Sequence, residues 1–171
     1  LRNILFSVQN NLDAPIAIRY PRGRGCHGDW TKPFSLIEIG KGRRVKEGNE
    51  LAVLSVGPIG EVVEKISAKP VYDSIGHYDM RFVKPLDEKL LHQIFQNYQV
   101  IITLEDGVLK GGFGSAILEF ASENNYQTPI KRLGIPDKFI EHGSVQKLQH
   151  IIGLDVQQLA SYFSKVANSL K

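Results

Sequence analysis

The stretch YQVIITLEDGVLKGGFGSAILEFA, residues 98–121, decides how the chain folds. Val100, Ile101, Ile102 and Leu104 make a short apolar run rich in β-branched residues, the pattern of a strand buried on both faces. The run ends at Glu105-Asp106, crosses a loop holding Gly107, Gly111, Gly112 and Gly114, and re-enters an apolar pattern. Ala116, Ile117, Phe120 and Ala121 then recur at helical spacing, so the segment reads as strand, Gly-rich turn, helix. This is half of a βαβ unit with its turn at the carboxyl end of the strand, where open α/β sheets place ligands or interfaces.

Two phosphate-binding readings of the turn fail on spacing. Gly107 and Gly112 stand at the distance of a Walker loop, but Phe113 and Gly114 replace its Lys and Ser/Thr. A dinucleotide fingerprint starting at Gly112 has Ile117 where its third glycine belongs, and the two acids ahead of the turn would repel a pyrophosphate. The glycines instead predict close helix–sheet packing and positive φ angles.

Working outward, the same alternation continues. Leu51 to Val56 is a strand, followed by Gly57-Pro58-Ile59-Gly60 and a helix from Glu61 to Ala68. Gly76 to Met80 is a more polar strand and so belongs nearer an edge. Asp87 caps a helix running to Asn97, with Leu90, Leu91, Ile94 and Phe95 inward. Ile130 to Gly134 is a further strand, and two helices close the chain, Val145–Ile152 and Asp155–Asn168. Ser35 to Lys46 predicts a short exposed strand and turn. The expected fold class is α/β: a three-layer α/β/α domain with a mostly parallel sheet.

The first residues do not fit that domain. Leu1, Ile4, Leu5 and Val8 form a helical stripe, and Ile16 to Tyr20 reads as a strand stopped by Pro21 and Gly23. One helix and one strand cannot build a core, so residues 1–23 are expected to belong to a preceding domain. Residues 24–34, rich in glycine and without periodicity, read as a linker, and 35–171 as the second domain.

Composition bounds the function. The chain has 171 residues, 42% of them hydrophobic and 23% charged, as in a soluble globular protein. No apolar run approaches the ~20 residues that span a bilayer. The start lacks the features of a signal peptide, and the single Cys26 fits a reducing compartment, so a cytoplasmic protein is expected. The net charge of +3 divides into +6 for residues 19–46 and −3 elsewhere. That basic stretch is an anion-binding candidate, but its aromatics are only Tyr20, Trp30 and Phe34, too few to interleave for nucleic acid.

Catalytic constellations are scarce. The five histidines have no metal-ligand spacing, and one cysteine cannot build a thiolate cluster. Cys26-His27 are chain neighbours, whereas a nucleophile and its base need facing side chains. Glu105-Asp106 are expected to cap the Gly-rich turn or pair with a neighbouring domain, and Arg81 and Lys84 to form interdomain ion pairs. Arg22 stands apart, because Tyr20-Pro21-Arg22-Gly23 delivers a planar bidentate donor on a defined turn, suited to phosphate or carboxylate.

PIAIRYPRGRG (15–25), YDMRFVKPLDEKLL (78–91), IITLEDGVLKGGFGSAILEF (101–120) and IKRLGIPDKFIEHGS (130–144) together resemble the C-terminal part of the 1-deoxy-D-xylulose-5-phosphate synthases, transketolase-like enzymes that use thiamine diphosphate. The resemblance covers nearly the whole chain. It implies a parent transferase that condenses pyruvate with glyceraldehyde 3-phosphate, with loss of CO2, using thiamine diphosphate and a cation such as Mg2+, for isoprenoid, thiamine and pyridoxal biosynthesis. It implies a homodimeric parent, and it assigns residues 1–23 to the end of the pyrimidine-binding domain. Arg22 would help hold the substrate phosphate. Cofactor and metal would sit between the two earlier domains, so this chain is expected to be a fragment that binds neither and is inactive and structural alone. Nucleic-acid and membrane partners are not expected. The alternatives are the C-terminal domain of another thiamine-diphosphate enzyme, a 2-oxo-acid dehydrogenase β subunit or a transketolase, and a non-enzymatic anion-binding module.

Overall fold

The computed structural model describes residues 1–11, 14–21, 29 and 31–170. Five strands alternate with helices in chain order: α1 (Arg2–Asn11), β1 (Arg43–Lys46), β2 (Leu51–Val56), α2 (Gly60–Ser67), β3 (Ile75–Asp79), α3 (Glu88–Asn97), β4 (Val100–Val108), α4 (Phe113–Glu123), β5 (Ile130–Ile135), α5 (Val145–Ile151) and α6 (Val156–Asn168). The sheet order is β1-β3-β2-β4-β5. β2 pairs in parallel with β3 and β4, and β4 with β5, while β1 runs antiparallel to β3. Helices connect the parallel strands, as crossovers of this kind require.

The unbroken apolar runs of β2 and β4 are explained by helices on both faces. On one face Leu51, Val53, Ile102 and Leu104 pack with Val63 and Ile66 of α2 and Leu159 and Phe163 of α6. On the other, Ala52, Leu54 and Ile101 pack with Leu91, Ile94 and Phe95 of α3 and with Phe113, Ile117 and Phe120 of α4. Phe113 and Phe163 are almost fully buried, each contributing roughly 1.5–3 kcal/mol relative to an exposed side chain. The architecture is the three-layer α/β/α expected. Asp87 caps α3 by accepting the Leu90 N–H at 3.1 Å, and its other oxygen accepts the Gly42 N–H at 3.1 Å.

Three local expectations change. Among the described residues Ile16 to Tyr20 forms no strand and is mostly exposed; whatever its β-propensity, a strand needs a partner ladder. Ser35 to Ile39 also forms no strand, and only Arg43–Lys46 pairs. β3 does lie nearer an edge than β2, as expected, with only β1 outside it, and its first four residues are buried. β4 does not stop at Glu105 and continues to Val108.

Helix α1 leaves much of its apolar stripe uncovered, with Leu1 58% and Leu5 46% exposed. The face it uses is polar and aromatic. Asn3 Nδ2 donates to Ser35 Oγ at 2.7 Å, and Ser7 Oγ accepts the Ile37 N–H at 2.6 Å. Phe6 stacks on Phe34 at 4.9 Å, with the Arg2 guanidinium 4.0 Å from the same Phe34 ring. The helix thereby clasps the stretch that leads into the sheet.

Candidate functional site

The carboxyl end of β4 is built around one buried carboxylate. Strand alternation directs Glu105, 4% exposed, toward α4. Oε2 accepts the Phe113 N–H and Oε1 the Gly114 N–H, both at 2.9 Å. Gly112, the residue before α4, offers no side-chain cap, so a side chain from the strand satisfies donors that the helix itself leaves open. Its charge also faces the positive end of the helix dipole.

That arrangement accounts for two glycines. A Cβ on Gly112 would stand 2.3 Å from Glu105 Oε2, and one on Gly114 would stand 2.6 Å from Thr103 Oγ1. The rest of the turn is held by hydrogen bonds. Ser115 Oγ accepts from Gly111 N at 3.0 Å and donates to the Leu109 carbonyl at 3.2 Å, while Arg132 Nη1 donates to both Leu109 O and Ser115 Oγ at 3.0 Å.

The donor set does not fit thiamine diphosphate or its metal. The anion seat at the start of α4 is filled by the chain's own carboxylate, which would repel a diphosphate. Among the described residues no group of three or more His, Cys, Asp or Glu side chains could hold a metal ion. Glu105 therefore works as a cap, as its place ahead of the turn led us to expect, and Asp106 is exposed.

Arg22 and the Cys26-His27 pair lie outside the described residues. Just ahead of the Arg22 motif, Arg19 Nη2 donates to the Asp106 carbonyl at 3.4 Å, across 87 residues of chain. The stretch ahead of the motif thus touches the end of β4 through one side chain. Arg81 and Lys84 follow the end of β3. Arg81 adopts a left-handed backbone (φ 57); its N–H donates to Asp79 Oδ1 at 3.2 Å and its Nε lies 3.8 Å from Oδ2. Asp79 also accepts from Arg43 Nε at 3.0 Å, and Lys84 is exposed.

One buried polar pair went unread in the sequence. Ser55 Oγ and His77 Nε2 lie 2.8 Å apart, and both side chains are fully buried. Burial pushes the His77 pKa down to about 4, against an opposing pull from Asp79 and with a smaller lowering by Arg43. A hydroxyl beside a neutral imidazole invites comparison with a nucleophile and its base. No carboxylate orients the ring, however, since Nδ1 has no partner, and the start of α2 seals the pair from solvent: a Cβ on Gly60 would lie 2.7 Å from Ser55 Oγ. The pair joins β2 to β3. Its sequence signal is a lone serine within the apolar run of β2 and a lone histidine in the more polar β3.

Comparison with known proteins places this geometry. The transketolase C-terminal domain profile matches residues 40–159. The chain is 48% identical over 168 residues to the 1-deoxy-D-xylulose-5-phosphate synthase of Bacteroides fragilis, covering 96% of this chain and 26% of that protein. It is 52% identical over 158 residues to the enzyme of the same name from Phocaeicola vulgatus, covering 91% of this chain and 25% of that one. The chain thus spans about a quarter of the length of the curated relatives it matches. Among solved structures, a split-gene transketolase described as an inactive β4 tetramer superposes with a TM-score of 0.70 at 25% identity, over 80% of this chain and 45% of that one. With a profile matching well over half its length, the chain belongs to the transketolase C-terminal domain family, and within it resembles the 1-deoxy-D-xylulose-5-phosphate synthases.

Proposed function

We propose that the chain is the C-terminal part of a 1-deoxy-D-xylulose-5-phosphate synthase, which joins pyruvate to glyceraldehyde 3-phosphate with loss of CO2. The observation that carries this reading is the extent of the likeness to the Bacteroides fragilis enzyme. At 96% of the chain it includes most of the stretch ahead of residue 40, beyond the domain shared across transketolases, and with it the Arg22 motif. Residues 1–23 then end the pyrimidine-binding domain, 24–34 form the linker, and 35–171 the C-terminal domain. Thiamine diphosphate, which supplies the carbanion chemistry of such enzymes, and Mg2+ are held by the rest of the parent.

This chain's own contribution is structural, apart from Arg22. It completes the subunit and helps it self-associate in a cytoplasmic homodimer. The tetramer named for the split-gene transketolase supports association, as does the apolar surface of Phe139, Val145 and Ile151, exposed at 92%, 61% and 59%. Among the described residues no helix is long and apolar enough to cross a membrane. Alone, the chain neither binds the cofactor nor decarboxylates pyruvate. Arg22 holds the phosphate of glyceraldehyde 3-phosphate with its planar fork.

The test is made in the intact parent. Arg22→Ala is expected to lower kcat/KM for glyceraldehyde 3-phosphate about 10- to 150-fold, the worth of a charge-assisted hydrogen bond of roughly 1.5–3 kcal/mol. Activation of pyruvate and use of unphosphorylated glyceraldehyde should change little. Equal slowing with both acceptors would make Arg22 a brace and remove the phosphate role.

A further inference from the structure

We propose that this chain carries a releasable tie: the Arg19 contact on Asp106 holds the N-terminal portion to the sheet domain, and Glu38–Ile39 is the joint at which that portion moves when the tie lets go. The device lies wholly within the described residues and is independent of the reaction proposed above. On one side of the joint the chain is fastened to α1. Arg2 Nη1 donates to the Lys32 carbonyl and Asn3 Nδ2 to Ser35 Oγ, both at 2.7 Å, and the Ile37 N–H donates to Oγ of the buried Ser7. On the other side the chain is fastened to the sheet domain. Gly40 is buried, and an ideal Cβ there would stand 2.8 Å from Pro85 Cγ. The Gly42 N–H donates to Asp87 Oδ2 at 3.1 Å, and Arg43 opens the ladder to β3 opposite Asp79.

Between these anchorages lie Glu38, exposed, and Ile39, half-buried. Among the described residues their one hydrogen bond is local, from the Lys41 N–H to the Glu38 carbonyl at 3.2 Å. Neither residue is a proline, so both backbone dihedrals of each are soft. Arg19 bridges the two portions from elsewhere in the chain. The ladder between β4 and β5 is regular from Ile101↔Ile130 to Leu104↔Leu133, and then jumps to Val108↔Ile135, a bulge that breaks regular pairing. Asp106 lies in that bulge, and its carbonyl accepts Arg19 Nη2 at 3.4 Å. Gly107 leaves room for the guanidinium, since an ideal Cβ there would stand 3.4 Å from Arg19 Nη1. The contact is long, exposed and made to a neutral carbonyl, so it is weak: one net hydrogen bond favours the tied state roughly two- to tenfold. The fastening of α1 to residues 32–37 uses several bonds and a buried hydroxyl, and outlasts it.

The test places spin labels on the 171-residue chain in a Cys26→Ser background, through Gln9→Cys on α1 and Glu119→Cys on α4, both exposed positions. Pulsed electron resonance reads the distribution of distances between the labels, and hydrogen exchange reads the Ile37 N–H. Arg19→Ala is expected to lower the ratio of the narrow to the broad component roughly two- to tenfold, and Arg19→Lys, which keeps a donor, should lower it less. The Ile37 N–H should stay as protected as in wild type, because residues 32–37 move with α1. In the Arg19→Ala background, Ile39→Gly should broaden the distribution further, since glycine frees the joint. A distribution that Arg19→Ala leaves unchanged, whether narrow or broad, would show that Arg19 ties nothing and overturn the inference. Loss of Ile37 protection together with the broadening would put the moving joint between α1 and residue 37, and an unchanged distribution on Ile39→Gly would put it elsewhere; either result overturns the inference as well.

Discussion

Replacing Glu105 by Gln tests whether the anion seat of α4 is truly occupied by the chain itself. The carboxylate offers one oxygen to Phe113 N and the other to Gly114 N, each at 2.9 Å. Glutamine keeps a single acceptor, and its NH2 group must face the second N–H, donor against donor. One charge-assisted bond, roughly 1.5–3 kcal/mol, is lost, together with the charge–dipole attraction, up to ~2 kcal/mol where partly buried. A neutral amide escapes the desolvation cost of a buried carboxylate, so the expected net loss is about 2–3 kcal/mol. Glu105→Ala leaves both donors without a partner and opens a gap, and should cost about 3–5 kcal/mol. Urea unfolding followed by circular dichroism at pH 7 should rank wild type above Gln and Gln above Ala, with an unchanged slope against denaturant. Inorganic phosphate should raise the midpoint of Glu105→Ala, whose seat is vacant, and leave the wild type where it was. A Gln variant within about 0.5 kcal/mol of wild type, a surface-like effect, would refute the capping role and with it the argument that this turn excludes a diphosphate.

Two further predictions concern the sheet. His77, held neutral by burial with a pKa near 4 against the ordinary 6.5, binds fewer protons folded than unfolded between those values. Its contribution to stability is therefore complete above pH 6.5 and lost as the pH falls toward 4, about 3 kcal/mol in all. Urea midpoints from pH 7.5 to 4.5 should fall more steeply for wild type than for His77→Gln, and parallel curves would show that the imidazole is not the cause. Gly114→Ala places a methyl 2.6 Å from Thr103 Oγ1 and 3.0 Å from Arg132 Cδ. The overpacking should cost roughly 1–3 kcal/mol, outweighing the better helix propensity of alanine. Because Thr103 Oγ1 has no hydrogen-bond partner, adding Thr103→Ala should restore much of the loss; a double variant no more stable than Gly114→Ala would place the clash elsewhere.

The strand–turn–helix at 98–121 was legible because burial on both faces forces a continuous apolar run, and no other element tolerates one so short. The Asp87 cap and the bounds of α6 were legible for the same local reason: their signals lie within a few residues of their effects. What the sequence hid was long-range. Ile16 to Tyr20 carries a strand's composition but lacks a neighbour to pair with, and neighbours are a property of the fold. Helix α1 shows an apolar stripe, yet it docks through Asn3, Phe6 and Ser7, whose partners Ser35, Phe34 and Ile37 lie about thirty residues on. Glu105 could be suspected as a cap from its place before the turn, whereas the bond from Arg19 to Asp106 depends on a bulge that no pattern of residue types announces.

The clasp of α1 has a mechanical meaning. A chain that crosses once between two bodies is a swivel and leaves all three rotations open. Among the described residues the N-terminal portion touches the sheet portion at two points: α1 against Ser35 and Ile37, and Arg19 against Asp106. Two fixed points leave one rotation, about the line that joins them. Relative turning of the two portions is thereby reduced from a swivel to a hinge, one end of whose axis is the Arg19 contact with Asp106.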